Sequence, residues 1–360
     1  MAVGDITLVG TGTVSQVEGN RVLAFGHPML GLGTVEVPMT SAEIVAILPS
    51  NLSSFKIANA GEVIGTVRQD RLSAIYGEIG PGPTMIPITV NTPQRTLNFS
   101  TVRHPRLTPM IAATGLTQAV LGSNDAGLTQ GFRVKTDVSF PDGSDLKINE
   151  LYAGTEGFKA GLSSLVQSLS TWLQNPVEEL FPDHITFSVE PLTVNPTMSL
   201  DNVQLSHQTA TIGHAVVATL GLRDFQGQPF RTLVEIPIAT DWLGRQVEVI
   251  IADGAALDAL SGQQRSYAVS QIRQFDAYLD AIRRERRKDG LYLAVVTLAD
   301  VFTDQTATTP ELPDSFSRIA RQADGARFTE KRTREVLWET HILPDRLVPG
   351  LVRKPLQISD

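Results

Sequence analysis

The sequence predicts a mainly β protein with a few helices: a glycine-punctuated β unit, then a β-sandwich, then a helix–strand region. Three observations predict it. First, 12 of the 29 glycines fall between Gly4 and Gly82, separating short runs rich in β-branched residues. Closely spaced strands with such punctuation argue for a β-barrel or sandwich rather than βαβ units. Second, apolar residues alternate with polar ones from Ile185 onward, the period of half-buried strands. Third, two stretches, 157–180 and 266–287, carry apolar residues at spacings of three and four, the period of a helix with one buried face. At roughly 150 residues per domain, 360 residues suit two or three units. We divide the chain into a first β domain at 1–152, a linking helix at 153–182, a sandwich of immunoglobulin-like type at 183–256, and a helix–strand region with an extended tail at 257–360.

In the first unit the strand candidates are Ile6–Val9, Thr13–Val17, Val22–Phe25, Val63–Val67 and Met85–Val90. Gly19-Asn20 sits between two of them as a hairpin turn should. Ser41–Leu48 is the one stretch here expected to form a short helix. Phe132–Phe140 and Leu146–Leu151 follow, joined by the turn sequence Pro141-Asp142-Gly143-Ser144. Leu162, Leu165, Val166, Leu169, Trp172 and Leu173 mark the linking helix. The sandwich reading rests on Ile185–Val189, Val216–Leu222, Leu233–Ile238 and Gln246–Ile251, though the cysteine pair and buried tryptophan of antibody domains are missing. Val269, Ile272, Phe275, Leu279 and Ile282 form the stripe of the second helix. Leu291–Leu298 reads as a buried strand and Glu335–Glu339 as a short one.

Composition excludes whole classes of chemistry. The chain has no cysteine, so disulfides, thiolate zinc sites, iron–sulfur clusters and a cysteine nucleophile are ruled out. Its six histidines are scattered at 27, 104, 184, 207, 214 and 341, which argues against a histidine-rich metal site. Thirty Lys and Arg against 38 Asp and Glu give −8, the wrong sign for a nucleic-acid binder. No apolar run reaches the ~18 residues of a membrane span. The stretch MAVGDITLVG lacks the basic head and apolar core of an export signal.

Most suggestive motifs yield to ordinary readings. Gly10-Thr11-Gly12 begins like a dinucleotide fingerprint, but the third glycine is missing and a strand follows where phosphate binding needs a helix N-terminus. The basic run Arg283–Lys288 closes an amphipathic helix, where cations meet the negative end of the dipole, and reads as a solvated helix end. Asp183-His184 and the pair His207 and His214 read as surface or sandwich residues. No cofactor and no metal is expected.

One segment carries more weight. His27 stands between Gly26 and Pro28 directly after an apolar strand, in Ala24–Gly33 (AFGHPMLGLG). A histidine at a strand end, flanked by residues that fix an unusual backbone, is placed to act as a general base. Phe55-Lys56 and Gly65–Gly80 (GTVRQDRLSAIYGEIG) follow. Taken with Gly12-Thr13-Val14, Gly65–Arg71 in the pattern G-T-V-x-x-D-R, Gly77-x-x-Gly80 and Ile86-Pro87-Ile88, this segment closely resembles the SpoIVB-type serine peptidase family, over about the first ninety residues. The resemblance implies a trypsin-like β-barrel, here incomplete, that cuts peptide bonds with a His–Ser pair, and His27 matches the family's general base. It also implies a location outside the cytoplasm if an upstream segment exists.

The family's nucleophile lies in a G-M-S-G-S-P-type segment, and this chain contains neither G-x-S-G nor S-G-S. The nearest approximations are Leu260-Ser261-Gly262 and Gly122-Ser123-Asn124; Ser53 and Ser54 lack a glycine-built oxyanion turn. Asp70 either orients His27 or pairs with Arg71 and the backbone, and the second role is favoured because Asp–Arg pairs commonly fix loops. The leading expectation is therefore a SpoIVB-like peptidase portion that keeps the base-bearing half, is inactive alone, and has a peptide, a protein or a missing upstream segment as partner. The alternative is a non-catalytic scaffold on a degenerate peptidase barrel, whose open sheet edges bind a peptide or another subunit. Self-processing through an unrecognised serine is the third and weakest.

Overall fold

The computed structural model describes residues 1–49, 55–122, 126–173, 180–261, 275–303, 308–310 and 329–359. The first half contains β1 (Ala2–Gly4), β2 (Val14–Glu18), β3 (Arg21–Ala24), β4 (Gly33–Leu48), β5 (Phe55–Asp70), β6 (Ile75–Ile79), β7 (Met85–Asn91), β8 (Thr96–Val102), α1 (Leu107–Leu121), β9 (Phe132–Ser139), β10 (Asp145–Tyr152), α2 (Gly154–Leu173) and β11 (His184–Pro191). The second contains β12 (Met198–Leu205), β13 (Thr209–Thr211), β14 (Val216–Asp224), β15 (Pro229–Ile236), β16 (Val247–Ala252), α3 (Gly254–Ser261), α4 (Phe275–Arg283), β17 (Leu291–Thr303), β18 (Thr308–Pro310), β19 (Thr329–Ile342) and β20 (Leu351–Ser359). The fold is mainly β with few helices, as the turn density and alternation predict.

The expected barrel is not formed. The strands lie in four open sheets, and those of the first ninety residues or so are divided between two of them. One sheet runs β2-β3-β6-β5-β4, with β2 and β4 as free edges. The other runs β1-β8-β7-β11-β9-β10. Glycine spacing sets strand length and turn position, but closure needs the two edges to meet, which spacing does not encode.

Local details follow the residues. The Gly19-Asn20 hairpin forms as expected, with Gly19 in the left-handed region at φ 60°. Ser41–Leu48 is strand, not helix: Ile44, Val45 and Ile47 favour a pleated surface, and pairing with β5 decides the matter. Gly65 sits where β5 and β6 approach closely, since a Cβ there would lie 2.0 Å from the Glu78 carbonyl oxygen. Gly65→Ala should therefore cost about 1–3 kcal/mol, the usual penalty for overpacking. Urea denaturation of the full chain measures it, and an unchanged midpoint would mean that the strands part freely.

The main core joins the second sheet to α1 and α2. Ile86, Ile88, Phe99, Val134, Val138, Ile185 and Phe187 pack against Ile111, Leu116, Leu165, Leu169 and Trp172. The stripe expected on α2 is the face that is buried. Helix α1 escaped detection because it is buried on most sides and so shows no amphipathic stripe. Ile185–Val189, expected to open the sandwich, instead lies in β11, antiparallel to β9 and parallel to β7. Alternation shows that a strand has one buried face but not which core receives it.

Two further sheets enclose a second core. β12, β14 and β15 form one, and β13, β20, β16, β17, β18 and β19 the other, with Val203, Leu220, Ile236, Val249, Leu293 and Leu356 between them. The tail expected to be merely extended is β20, which pairs antiparallel with β16 and parallel with β13. Helix α4 packs into the first core through Phe275, Leu279 and Ile282. Val269 and Ile272, assigned to the same helix, lie outside the described residues.

Of the basic run that closes α4, Arg283, Arg284, Arg287 and Lys288 are exposed, as a solvated helix end should be, and the Arg286 side chain is the buried exception. Arg286 is buried between Asp258 and Glu339, Arg287 pairs with Asp289 at 2.8 Å, and Lys288 binds the buried Glu150 on β10. With Arg283 on the Asp145 carbonyl and Arg133 on Asp345 at 2.5 Å, these cations tie the first half to the second. Among the described residues no helix is long and apolar enough to cross a membrane.

Candidate functional site

The candidate site is the loop between β3 and β4. Its entry is fixed by sterics: Phe25 and Gly26 both take left-handed conformations, at φ 74° and 69°, and turn the chain out of the sheet. Such a φ is uncommon for a bulky residue. It is held here because the Phe25 N–H donates to the Thr13 carbonyl at 2.8 Å. The Phe25 ring also fills the space above Gly12, where a Cβ would sit 2.1 Å from the ring. This close approach accounts for Gly12 in the G-T-V motif. Gly10 lies against Met29 in the same way, so residues 10–13 form the floor on which the loop rests.

His27 is exposed on this loop, its ring centroid 5.7 Å from that of Phe25. Its Nδ1 lies 2.8 Å from the Pro28 carbonyl oxygen. A carbonyl only accepts, so Nδ1 carries the proton and Nε2 is left as the basic nitrogen. That is the tautomer a general base requires, set by the neighbouring peptide rather than by a carboxylate.

Asp70, the last residue of β5, has a different task from the one a triad would give it. Its side chain is buried, and it accepts the N–H groups of Met29 and Leu30 at 2.8 Å each and that of Leu32 at 3.3 Å. Burial pushes this carboxyl up. The backbone donors of Leu30, Met29, Leu32 and Gly31 outweigh it and hold the group below the usual aspartate value. Gly31 and Gly33, at φ 67° and 81°, let the loop curl around the carboxylate. Consecutive N–H groups of this kind make an anion-binding concavity. Here it is filled by the protein's own aspartate, so it is not an open oxyanion hole. Of the two roles weighed for Asp70, the contacts are those of the loop-fixing one, but with the backbone as partner. Arg71 instead reaches Thr34, at 3.5 Å.

Sequence reasoning singled out both residues but could not join them. Met29 and Asp70 are 41 residues apart, and only the pairing of Gly33 with Asp70 across β4 and β5 brings them together. Lys56 is a contributor that sequence did not explain: its Nζ donates to Thr13 Oγ1 at 2.8 Å, bringing the far part of β5 to the floor of the loop.

Among the described residues no nucleophile is evident. Among the described residues, no serine hydroxyl hydrogen-bonds the His27 ring. Ser261 ends α3 and donates to the Leu257 carbonyl at 2.9 Å, with contacts in the second half of the chain. Ser53, Ser54 and Ser123 lie outside the described residues, as does Gly262. His184 is on β11, and His207 Nδ1 lies 3.1 Å from Ser206 Oγ. Compared with protein-family models, with curated proteins and with solved structures, the chain finds no match in any of the three.

Proposed function

We propose that the His27 loop is the general-base half of a serine-peptidase-type site, resembling the SpoIVB family, in a chain that does not cleave peptides alone. The observation that carries this reading is the imidazole itself: exposed, on a braced loop, with Nδ1 bonded to Pro28 and Nε2 free to take a proton. Without a serine to deprotonate, such a site loses the covalent step, and only weak residual catalysis remains. The two packed sheets of the second half support its reading as an accessory sandwich of immunoglobulin-like type.

The test uses the full chain and its His27→Ala variant. With a fluorophosphonate probe and with unfolded casein, neither labelling nor cleavage is expected. With 4-nitrophenyl acetate, whose activated ester needs no oxyanion hole, slow hydrolysis is expected, falling roughly tenfold in His27→Ala because a positioned base contributes at least that much. Fluorophosphonate labelling of a serine in the chain alone would show a complete enzyme. An ester rate indifferent to His27 would remove the base.

A second reading, a non-catalytic scaffold that binds a polypeptide, is supported by the free edges β2 and β4 of the sheet that carries the loop. Unpaired strand edges are templates for another strand.

A further inference from the structure

Beyond Thr40, β4 and β5 continue as a two-stranded arm, whose Lys56 reaches back to Thr13. All of Ser41–Leu48 is exposed, and on β5 only Ala58 of residues 56–64 is half-buried. The arm is nevertheless apolar: Val45 and Ile47 are 58% and 59% exposed, with Ile44, Leu48 and Ile57 beside them. β4 is a sheet edge along its whole length, whereas β5 is covered by β6 from Gly65 onward. Proteins usually guard such edges with lysine or proline. Between Pro38 and Pro49 this one has neither, and Glu43 is its only charge.

The chemistry of the arm narrows its partner. Hydrocarbon is excluded, because the unpaired N–H and C=O groups of β4 would go unsatisfied in a bilayer core. Nucleic acid is excluded by Glu43, Glu62 and a net charge of −8. What remains is a strand that supplies backbone groups. A second copy is disfavoured: β4 carries Glu36 and Glu43 and no cation, so β4-to-β4 pairing of two copies offers Glu43 no partner, and Lys56 of β5 is already held by Thr13. Glu36 is already engaged by Arg68, whereas among the described residues no cation pairs with Glu43.

We infer that the Ser41–Leu48 edge docks an extended, apolar strand of another polypeptide bearing a lysine or arginine opposite Glu43. Eight paired residues give about 27 Å of ladder. The inference rests on the scaffold reading and is independent of His27 chemistry.

The experiment titrates the full chain into Thr-Val-Lys-Val-Thr-Val-amide carrying fluorescein on its N-terminus through a β-alanine spacer, followed by anisotropy, with a second probe in which glutamate replaces the lysine. Saturable binding of the first is expected, about fivefold tighter than the second, the size of a cross-strand charge effect. Glu43→Lys should reverse that preference. The double variant Val45→Lys with Ile47→Lys changes only exposed side chains, so its circular dichroism should be unchanged while binding of the lysine probe falls by more than about tenfold. Binding that survives the double variant, or that ignores the charge of the probe, would overturn the β4 assignment and leave the scaffold reading standing. Failure of both probes to bind would overturn both. A concentration-dependent dimer in sedimentation, dissolved by the double variant, would give the edge to a second copy instead.

Discussion

Arg286→Met should destabilise the protein by about 3–5 kcal/mol at neutral pH, the range seen when one partner of a buried ion pair is removed. The Arg286 side chain is 7% exposed. Its guanidinium binds Asp258 on α3, donates to Glu339 on β19 at 2.6 and 3.0 Å, and lies 5.9 Å from the Tyr292 ring centroid. Methionine fills much of the volume but leaves the Asp258 carboxylate without its cation, with the backbone N–H of residue 286 still donating to it at 3.2 Å. Burial already pushes Asp258 above the ordinary aspartate value, despite the pull of Arg286, so its charged form is held at a cost. The sign follows from linkage. A carboxyl raised in the folded state contributes stability that is greatest in acid and is lost as pH rises through its folded value. Without Arg286 that value rises further, so the penalty of Arg286→Met should be largest near pH 7 and smaller near about pH 5. Urea melts of the full chain at the two pH values test this. Adding Asp258→Leu to Arg286→Met should restore most of the loss, since Glu339 keeps access to solvent. A single-variant loss below about 1 kcal/mol would place this network among ordinary surface pairs.

The same network shows why charge runs are hard to read from sequence. Read locally, Arg283–Lys288 is a solvated helix end whose cations meet the negative end of the dipole. Asp289 follows the run directly, but Asp258, Glu339 and Glu150 come from three distant places in the chain, and nothing local announces them. Short-range features fared better. The β2–β3 hairpin, the α2 stripe and the Phe275–Ile282 face follow from turn chemistry and periodicity, which act over a few residues. What escaped was non-local: whether the first strands close, which sheet β11 joins, and that β20 completes the second core. At the loop, sequence identified His27 and Asp70 as notable but left their relation open. An aspartate that binds backbone N–H groups leaves no pairwise pattern of side chains. The only local signals were Gly31 and Gly33, which permit the curl that brings those N–H groups together.

That curl makes Asp70 the residue on which the site's geometry turns, and Asp70→Ala should cost about 3 kcal/mol, since the two short bonds from Met29 and Leu30 lose a charged acceptor at about 1.5 kcal/mol each. Asp70→Asn should lose nearly as much: the amide presents one acceptor oxygen and turns an N–H donor toward the loop's own donors. The pH dependence has the opposite sign to that of Asp258. Because the folded Asp70 is held below the ordinary value, its stabilisation is fully present above about pH 4, where the unfolded residue is ionised. It is lost as pH falls through the folded value, so the variants should be weaker at neutral pH yet less sensitive to further acidification than the natural protein. Amide hydrogen exchange at Met29, Leu30 and Leu32 should accelerate in both variants. If the loop also sets the imidazole, ester hydrolysis should fall toward the His27→Ala rate, although Asp70 never touches the ring. Wild-type exchange and stability in Asp70→Asn would show that Phe25, Gly26 and Pro28 hold the loop unaided, and that the buried carboxylate is a passenger in the turn rather than its anchor.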